Sequence, residues 1–290
     1  MKKLKTPLRY PGGKSRVAAH LLKWIPKDIT EYREPFLGGG SMAIEFTKQF
    51  PDVPVWVNDK YEYLYNFWVQ LQKNGEDLSD VLQAIKLENS TEDKARELFN
   101  AAKTEIGKAD SFRQAVLFWV LNKCSYSGLT ENSAFSASAS RQNFTVRGAK
   151  ALAEYSDMIQ HWHITNIDYE LVMNRELSKR NNDSQSIPCG NVFLFLDPPY
   201  MINSYLYGTD AELHKGFDHE KFADDCKVCP HRWMITYNVK DEISELFEGF
   251  HQRNFKITYG MQHRRDNRKQ ELLITNYDVE PPTPIDLLYA

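Results

Sequence analysis

The sequence predicts an α/β fold whose mostly parallel sheet ends in an antiparallel hairpin. Several short apolar runs have the length of buried strands, for example PVWVN at residues 54–58 and VFLFL at residues 192–196. Helical patterns follow most of these runs, and strands that alternate with helices are typical of a parallel sheet covered on both faces. One block of helical patterns without a strand, residues 61–160, predicts an insertion into this fold.

The predicted elements divide the chain into two parts. Strands are predicted at residues 32–36, 54–58, 163–167, 192–196, 232–237, 255–259 and 271–276. Helices are predicted at residues 41–49, 61–72, 78–87, 91–106, 112–122, 219–227 and 239–247, and a polar loop at residues 125–145. We therefore expect one domain built from residues 1–60 and 161–290, and a second, helical domain formed by residues 61–160.

The charge is unevenly distributed, although the net charge is only −3. Residues 1–27 hold eight Lys or Arg and no acid, and residues 133–153 and 251–269 are also basic. The overall balance excludes a protein coated in positive charge, but the local stretches favour an anionic partner.

The composition is that of a globular protein without a membrane partner. No apolar run approaches the roughly 20 residues that cross a bilayer, and the N-terminus lacks the apolar core of a signal peptide. Four cysteines in 290 residues do not form a disulfide framework. We expect a soluble, cytoplasmic protein.

Two short patterns point to chemistry that the rest of the sequence does not support. Gly12-Gly13-Lys14-Ser15 resembles the end of a phosphate-binding loop, but Leu8 stands where that loop needs its first glycine. Cys226 and Cys229 form one cysteine pair, whereas structural zinc sites use two spaced pairs of ligands. We predict neither an ATPase nor a metal site.

A glycine motif at residues 34–43, EPFLGGGSMA, lies between a predicted strand and a predicted helix. Gly38 and Gly40 allow the backbone to turn tightly and to approach a ligand closely. Asp59 follows the next strand, where a carboxylate suits the hydroxyls of a ribose. The motif indicates a ligand that contains adenosine, and does not by itself choose between NAD and another nucleoside cofactor.

A second motif, Asp197-Pro198-Pro199-Tyr200, directly follows the apolar strand VFLFL. Prolines cannot continue a central strand, so the chain leaves the sheet here. Ligands of open parallel sheets bind at the carboxyl ends of strands, which brings Asp197 and Tyr200 to such a site. Carboxylate and carbonyl acceptors beside an aromatic ring suit a planar amine.

These motifs resemble those of S-adenosylmethionine-dependent amino-methyltransferases. Residues 197–200 resemble their D-P-P-Y motif, and residues 36–40 resemble their F-x-G-x-G motif. The order of glycine motif, helical insertion and D-P-P-Y, together with PLRYPGGK at residues 7–14, is similar to Dam-type (D12 class, alpha group) DNA adenine-N6 methyltransferases. The resemblance implies a Rossmann-like class I methyltransferase sheet, with residues 61–160 as the target-recognition domain.

The resemblance also implies roles for matching residues. S-adenosylmethionine would be the cofactor, bound by Tyr10, Lys14, Phe36, Gly38, Gly40, Asp59, Asp168, Tyr169 and Asp197. The catalytic residues would be Asp197, Pro198, Pro199 and Tyr200. Asp197 and the Pro198 carbonyl would accept the hydrogens of the adenine amine, and Tyr200 would stack on a base flipped out of the duplex.

Contacts to double-stranded DNA would fall to the N-terminal segment and the helical block. The candidates are Arg9, Tyr126, Leu129, Arg141, Phe144 and Arg147. Family members that read GATC carry Arg where this chain has Glu131, which favours a different short sequence that contains adenine. Phe217 is a candidate second wall for the base or a core residue, and the basic residues between 264 and 269 suit either DNA or a solvated loop.

Other functions satisfy parts of the same pattern. A methyltransferase that acts on RNA or on a protein glutamine amide is the main alternative, because related motifs serve any planar amine. A catalytically silent DNA-binding module and a dinucleotide oxidoreductase are further alternatives. A monomer is expected, since one flipped base needs one active site.

Overall fold

The computed structural model describes residues 4–174, 191–201, 216–258 and 268–278. Its strands are β1 (Glu31–Glu34), β2 (Val55–Asn58), β3 (His163–Thr165), β4 (Val192–Leu196), β5 (Arg232–Asn238), β6 (His251–Thr258) and β7 (Arg268–Thr275). They form one sheet in the order β3-β2-β1-β4-β5-β7-β6. β7 is antiparallel to both β5 and β6, while the other neighbouring strands are parallel. The predicted Rossmann-like sheet with a terminal hairpin is confirmed.

The helices flank this sheet and fill the insertion. They are α1 (Ala18–Leu21), α2 (Ser41–Gln49), α3 (Glu62–Glu88), α4 (Glu92–Glu105), α5 (Ser111–Cys124), α6 (Ala137–Asn143), α7 (Val146–Met158), α8 (Tyr169–Asn174), α9 (His219–Val228) and α10 (Asp241–Leu246). The two helices predicted at residues 61–72 and 78–87 are one element, α3, with a kink at Asn74. Within the described ranges, no helix is both long and apolar enough to span a bilayer.

The predicted loop at residues 125–145 is partly helical, which corrects the sequence prediction. α6 begins after Ser136, whose hydroxyl accepts a hydrogen bond from the backbone N–H of Ala139 (3.2 Å). α7 begins after Thr145, which caps the N–H of Gly148 in the same way (3.0 Å). Hydroxyl side chains at these positions satisfy the unpaired N–H groups of a first helical turn. The Ser-rich composition therefore marks helix starts rather than a continuous loop.

Both faces of the sheet are buried, as parallel strands require. In β4, Phe193 and Phe195 pack into one core cluster, whereas Leu194 and Leu196 pack into the other. The first cluster continues without interruption into the helical insertion, where it includes Phe67 of α3. The division into a catalytic and a target-recognition domain stays a prediction.

The carboxyl ends of β1, β2 and β4 meet at one edge of the sheet. There the Asn58 side chain donates to the carbonyls of Pro35 and Ile167, both at 3.0 Å, and accepts from the Ile167 N–H. These bonds tie the loop after β1 to the segment after β3. The sheet therefore presents three loops side by side, as expected for a ligand site in an open α/β fold.

Candidate active site

A cavity of about 730 Å³ lies at this edge of the sheet. Two groups of side chains line it. We call the first the aromatic cluster (Phe36, Tyr169 and Phe217) and the second the carboxylate cluster (Glu34, Asp197 and Glu271, with Lys14). Apolar walls with a few convergent polar groups are typical of sites for small molecules.

The glycine loop bounds the cavity, and its glycines are required by neighbouring rings. Gly38 and Gly40 have positive φ values of 51° and 67°. A Cβ on Gly38 would lie 2.8 Å from the ring of Tyr10, and one on Gly40 would lie 2.7 Å from the ring of Trp68. The close approach predicted for a ligand is thus made by two aromatic side chains. Tyr10 itself lines the cavity beside Gly38.

Asp59 is anchored by the backbone of two loops. Its carboxylate accepts the N–H of Gly38 at 2.8 Å and the N–H of Tyr61 at 2.9 Å. Burial raises the pKa of Asp59 to about 6, against the lowering effect of these two hydrogen bonds. The carboxylate therefore reaches the cavity in one fixed orientation.

The aromatic cluster forms an apolar wall near Asp59. The ring centroid of Phe36 lies 5.4 Å from that of Tyr169 and 5.7 Å from that of Phe217. The Tyr169 hydroxyl donates to Asp225 at 2.7 Å, which fixes the ring. Phe217 packs in this cluster and also faces the cavity, so both of its predicted roles remain compatible with its position.

Asp168 lies at the rim of the cavity. Its carboxylate is mostly exposed and pairs with Lys60 at 2.8 Å. The predicted contact between Asp168 and a cofactor amine stays a prediction.

Asp197 follows β4 directly and is the best-connected acid of the carboxylate cluster. Both of its oxygens accept from the Lys14 ammonium at 2.8 Å, and Oδ1 also accepts from the Thr236 hydroxyl at 2.8 Å. The side chain is 22% exposed, and the cavity reaches it. Pro198 is buried and Pro199 is half-buried, and both line the cavity as well.

Lys14 lines the cavity and is buried beside this motif. Besides Asp197, its ammonium donates to the Tyr200 hydroxyl at 2.9 Å and to the Gly12 carbonyl at 3.0 Å. Lys14 thus contacts two residues of the D-P-P-Y motif, and its predicted contact with the cofactor stays a prediction.

Tyr200 is held from two sides. Its hydroxyl accepts from Lys14, and its ring stacks on Tyr237 with the centroids 5.8 Å apart and an interplanar angle of 27°. Tyr200 also lines the cavity. Its position is therefore fixed before any substrate arrives.

Two buried acids of the carboxylate cluster were not singled out as site residues by the sequence. Glu34, the last residue of β1, accepts from the Tyr32 hydroxyl at 3.0 Å. Burial raises its pKa well above the ordinary value, and the nearby Asp197 carboxylate raises it further. Glu271 lies in β7 and is also buried, and burial raises its pKa to about 7. An acid within an apolar strand was the available signal, since Glu271 begins the run ELLITN.

Arg9 joins the N-terminal segment to the loop after α5. Its guanidinium donates to the Ser125 carbonyl at 2.8 Å, and the backbone N–H of Arg9 donates to the side-chain oxygen of Asn122 at 2.9 Å. Burial lowers the pKa of the guanidinium. Tyr126, with 63% of its surface exposed, and Leu129 follow in this loop and line the mouth of the cavity.

The loop after α5 carries backbone strain. Ser127 and Thr130 have positive φ values of 53° and 51° although neither is a glycine. Such conformations concentrate at functional sites, where the surrounding structure holds them in place.

The remaining DNA candidates separate into exposed and buried residues. Arg141 in α6 is 70% exposed, with Glu92 at 3.5 Å, and Arg147 in α7 is exposed. Phe144, by contrast, is fully buried and packs on Trp119 with the ring centroids 5.5 Å apart. We therefore correct the prediction for Phe144, which belongs to the core of the helical insertion and not to its surface.

Glu131 points inward rather than toward solvent. It accepts a short hydrogen bond from the Tyr61 hydroxyl, and burial raises the pKa of Tyr61. Glu131 thus braces the loop after α5 against the start of α3.

The structure describes the cysteine pair and two of the four basic residues that were predicted in the hairpin loop. Cys226 and Cys229 are buried in the second core, and burial raises the pKa of each thiol. Arg268 lies in β7, as does Lys269, so neither belongs to the predicted hairpin loop. Arg264 and Arg265 lie outside the described residues.

Comparison with known proteins identifies the family of this chain. The chain belongs to the D12 class of N6 adenine-specific DNA methyltransferases, whose family model matches residues 10–264. It is 24% identical to the type II methyltransferase M.MjaIII of Methanocaldococcus jannaschii, with 93% of this chain and 98% of that protein covered. It is 22% identical to the type II methyltransferase M1.LlaDCHI of Lactococcus lactis subsp. cremoris, with 93% and 94% covered.

A longer relative shows the same segment within a larger protein. The modification methylase StsI of Streptococcus sanguinis is 22% identical over 96% of this chain, which corresponds to 44% of StsI. The family membership accounts for the resemblance of the glycine and D-P-P-Y motifs, and it favours DNA adenine over the RNA and protein substrates considered above.

Proposed function

We propose that this chain transfers a methyl group from S-adenosylmethionine to the N6 amine of an adenine flipped out of duplex DNA. One observation carries the proposal. The Asp197 carboxylate, fixed by Lys14 and Thr236, faces a cavity that also contains an aromatic cluster and the anchored Asp59.

The cavity suits S-adenosylmethionine in shape and charge. Asp59 is placed to accept from ribose hydroxyls, and Phe36 with Tyr169 offers an apolar wall for the adenine of the cofactor. Asp59 and Asp197 both line the cavity, and a carboxylate there attracts a positively charged sulfonium. When bound, S-adenosylmethionine supplies an electrophilic methyl group.

The residues of the D-P-P-Y motif orient the amine of the target. An exocyclic adenine amine is a poor nucleophile because its lone pair is delocalised into the ring. Asp197 and the Pro198 carbonyl accept its two hydrogens, which directs the lone pair toward the methyl group. The Asp197 carboxylate also stabilises the positive charge that develops on the nitrogen, without a covalent enzyme intermediate.

The position of Asp197 requires that the base leave the duplex. Only 22% of its side chain is exposed, inside a cavity, and a stacked base cannot reach it. Tyr200 is held on one face by Tyr237, and we assign its other face to stacking on the flipped adenine.

DNA binding is assigned to the cavity mouth and the helical insertion. Tyr126 and Leu129 lie where the duplex would meet the cavity, and Arg141 and Arg147 are exposed for contacts with phosphates or base edges. Arg9 supports this surface by holding the loop after α5 in place. The strain at Ser127 and Thr130 agrees with a recognition role for that loop.

The names of the relatives describe type II methyltransferases and a modification methylase, and we extend this role to the chain. We infer that it serves a restriction-modification system and acts in the cytoplasm as a monomer. One chain contains the whole set of site residues, so one flipped base needs no second subunit. The recognition sequence is expected to differ from GATC, because Glu131 stands where members that read GATC carry Arg.

The test is transfer of labelled methyl from S-adenosylmethionine to mixed-sequence duplex DNA by wild type and by Asp197→Ala. Loss of the carboxylate removes the electrostatic stabilisation of the amine, so turnover should fall by roughly 100-fold or more. Cofactor binding, measured by calorimetry, should persist, because Asp59 and the aromatic cluster are unchanged.

Asp157→Asn, on the exposed side of α7, is the matched control and should leave turnover unchanged. Normal turnover by Asp197→Ala would refute the catalytic assignment. Transfer of label to RNA or protein, with none to DNA, would refute the substrate.

A further inference from the structure

Glu271 is a buried carboxylate whose oxygens lie beyond hydrogen-bond distance of the described residues, with Lys14 and Tyr200 as its polar neighbours. Its residue is 1% exposed, and neither side-chain oxygen makes a hydrogen bond within the part of the chain that the structure describes. It lines the same cavity as Asp197. The Lys14 ammonium lies 3.8 Å from Oε2, within the range of an ion pair but beyond that of a hydrogen bond.

The position of Glu271 is fixed by the sheet. It lies in β7 between two strands, opposite Asn238 of β5 and Phe255 of β6. The side chain thus cannot withdraw to solvent without breaking the sheet. Burial raises its pKa to about 7, opposed by Lys14 and by the Tyr200 hydroxyl, while the Asp197 carboxylate adds to the rise.

Keeping such a carboxylate in the folded protein costs free energy, so its presence calls for an explanation. A buried carboxylate without full hydrogen bonding destabilises the folded state. Buried groups that lower stability in this way occur mainly at functional sites.

Lys14 has two carboxylates within reach. Its ammonium lies 2.8 Å from both oxygens of Asp197 and 3.8 Å from Oε2 of Glu271. The difference, about 1 Å, is a movement that a lysine side chain makes by small torsional changes. A target amine needs acceptors on Asp197, the same acceptors that Lys14 now occupies.

We propose that Glu271 is a positioning residue that receives the Lys14 ammonium when the target amine docks on Asp197. This inference rests on the proposed function. No proton moves between Lys14, Asp197 and Glu271, so only hydrogen bonds are exchanged. The exchange frees Asp197 for the amine and removes an ammonium from the place where positive charge develops in the transition state.

The exchange explains why one ammonium is shared by two carboxylates. In the DNA-free enzyme Lys14 neutralises Asp197, which otherwise would be a partly buried anion beside Tyr200. In the enzyme with a docked amine, Glu271 takes over the ammonium. Without Glu271, Lys14 would have to leave Asp197 with Glu34 as the remaining acid of the cluster, and burial raises the pKa of Glu34 well above its ordinary value.

The experiment measures single-turnover methyl transfer to duplex DNA by wild type and by Glu271→Gln. We expect the rate to fall roughly tenfold or more, while the dissociation constants for cofactor and DNA stay within about twofold. The melting temperature should not fall, because glutamine removes a buried charge while Lys14 keeps Asp197. Glu245→Gln, exposed in α10, is the matched control for the charge change.

A second comparison uses Lys14→Met and the double variant Lys14→Met/Glu271→Gln. Once Lys14 is absent there is no ammonium to receive, so the Glu271 substitution should have no further effect on the rate. An equal loss in both backgrounds would show that Glu271 acts on the base directly, and would overturn the inference.

Three further outcomes would overturn the inference. A normal rate for Glu271→Gln with active wild type overturns this inference alone. A lower melting temperature with a normal rate assigns Glu271 to a structural ion pair, and also overturns it. A wild type that transfers no methyl to any DNA overturns the proposed function and this inference together.

Discussion

The Lys14 ammonium lies 2.8 Å from both carboxylate oxygens of Asp197, although 183 residues separate the two in the chain. This contact joins the basic N-terminal segment to the catalytic motif after β4. Since Arg9 of the same segment holds the loop after α5, the segment connects the catalytic centre with the surface assigned to DNA.

Asp59→Asn should weaken cofactor binding roughly tenfold or more, as expected for loss of hydrogen bonds to a charged acceptor. The amide nitrogen would face a backbone N–H of Gly38 or Tyr61, where the carboxylate now accepts both. Calorimetric titration with S-adenosylmethionine measures the change. Asp52→Asn, exposed before β2, is the control, and equal affinities for the two variants would contradict the assignment.

Gly40→Ala should destabilise the protein by about 2–5 kcal/mol, from a strained backbone plus overpacking. Its φ is +67°, and the new Cβ would lie 2.7 Å from Trp68. Gly249→Ala separates the two effects, because Gly249 has φ +90° with nothing within 4 Å, and should cost only about 1–2 kcal/mol. Urea unfolding measures both, and equal losses would show that Trp68 is no obstacle.

The stability of wild type relative to Glu271→Gln should depend on pH. The folded-state pKa of Glu271, about 7, lies above that of an unfolded glutamate, so its contribution to stability is present at low pH and lost as pH rises through about 7. Lys14, Asp197 and Tyr200 are the charged or titratable groups that affect it. The melting temperature of Glu271→Gln minus that of wild type should therefore increase from pH 5 to pH 8. A constant difference would contradict a buried, titrating Glu271.

Arg147→Ala should weaken DNA binding and reduce the slope of log affinity against log salt by about 1, as for a phosphate contact. Its melting temperature should not change, because the side chain is exposed. Lys227→Ala removes a positive charge at the opposite edge of the sheet, before β5, and is the control. The same salt slope for Arg147→Ala and wild type would remove Arg147 from the DNA surface.

Tyr126→Ala should lower methyl transfer to duplex DNA while cofactor affinity stays unchanged. Its ring is 63% exposed at the cavity mouth, so its loss removes contact with DNA and little packing. Competition between duplex and single-stranded DNA measures whether the loss is specific to the duplex. Unchanged transfer to both would exclude Tyr126 from recognition.

The sequence predicted those parts of the site that follow a strand directly. Asp197 and Asp59 each come at the end of a strong apolar run, and parallel strands bring such ends together. The mostly parallel sheet and its terminal hairpin followed from the same runs. These predictions required only local patterns and a general rule of α/β folds.

The parts that failed depend on contacts between distant segments. The contacts of Lys14 with Asp197 and Tyr200 were not predicted, because nothing local shows that β4 ends above Lys14. Phe144 was assigned to DNA from the family resemblance. The caps of α6 and α7 were interpreted as a polar loop, which left the burial of Phe144 against Trp119 unseen. Glu271 was taken for the edge of a strand, although it lies within one.

The most direct test of the account is the chemical identity of the methylated product. Duplex DNA is treated with the enzyme and labelled S-adenosylmethionine, digested to nucleosides and separated, while a second sample is sequenced for modified positions. The account predicts label only in N6-methyladenine, at one short sequence other than GATC. Label in a modified cytosine, or in no nucleoside while the cofactor is bound, would contradict it.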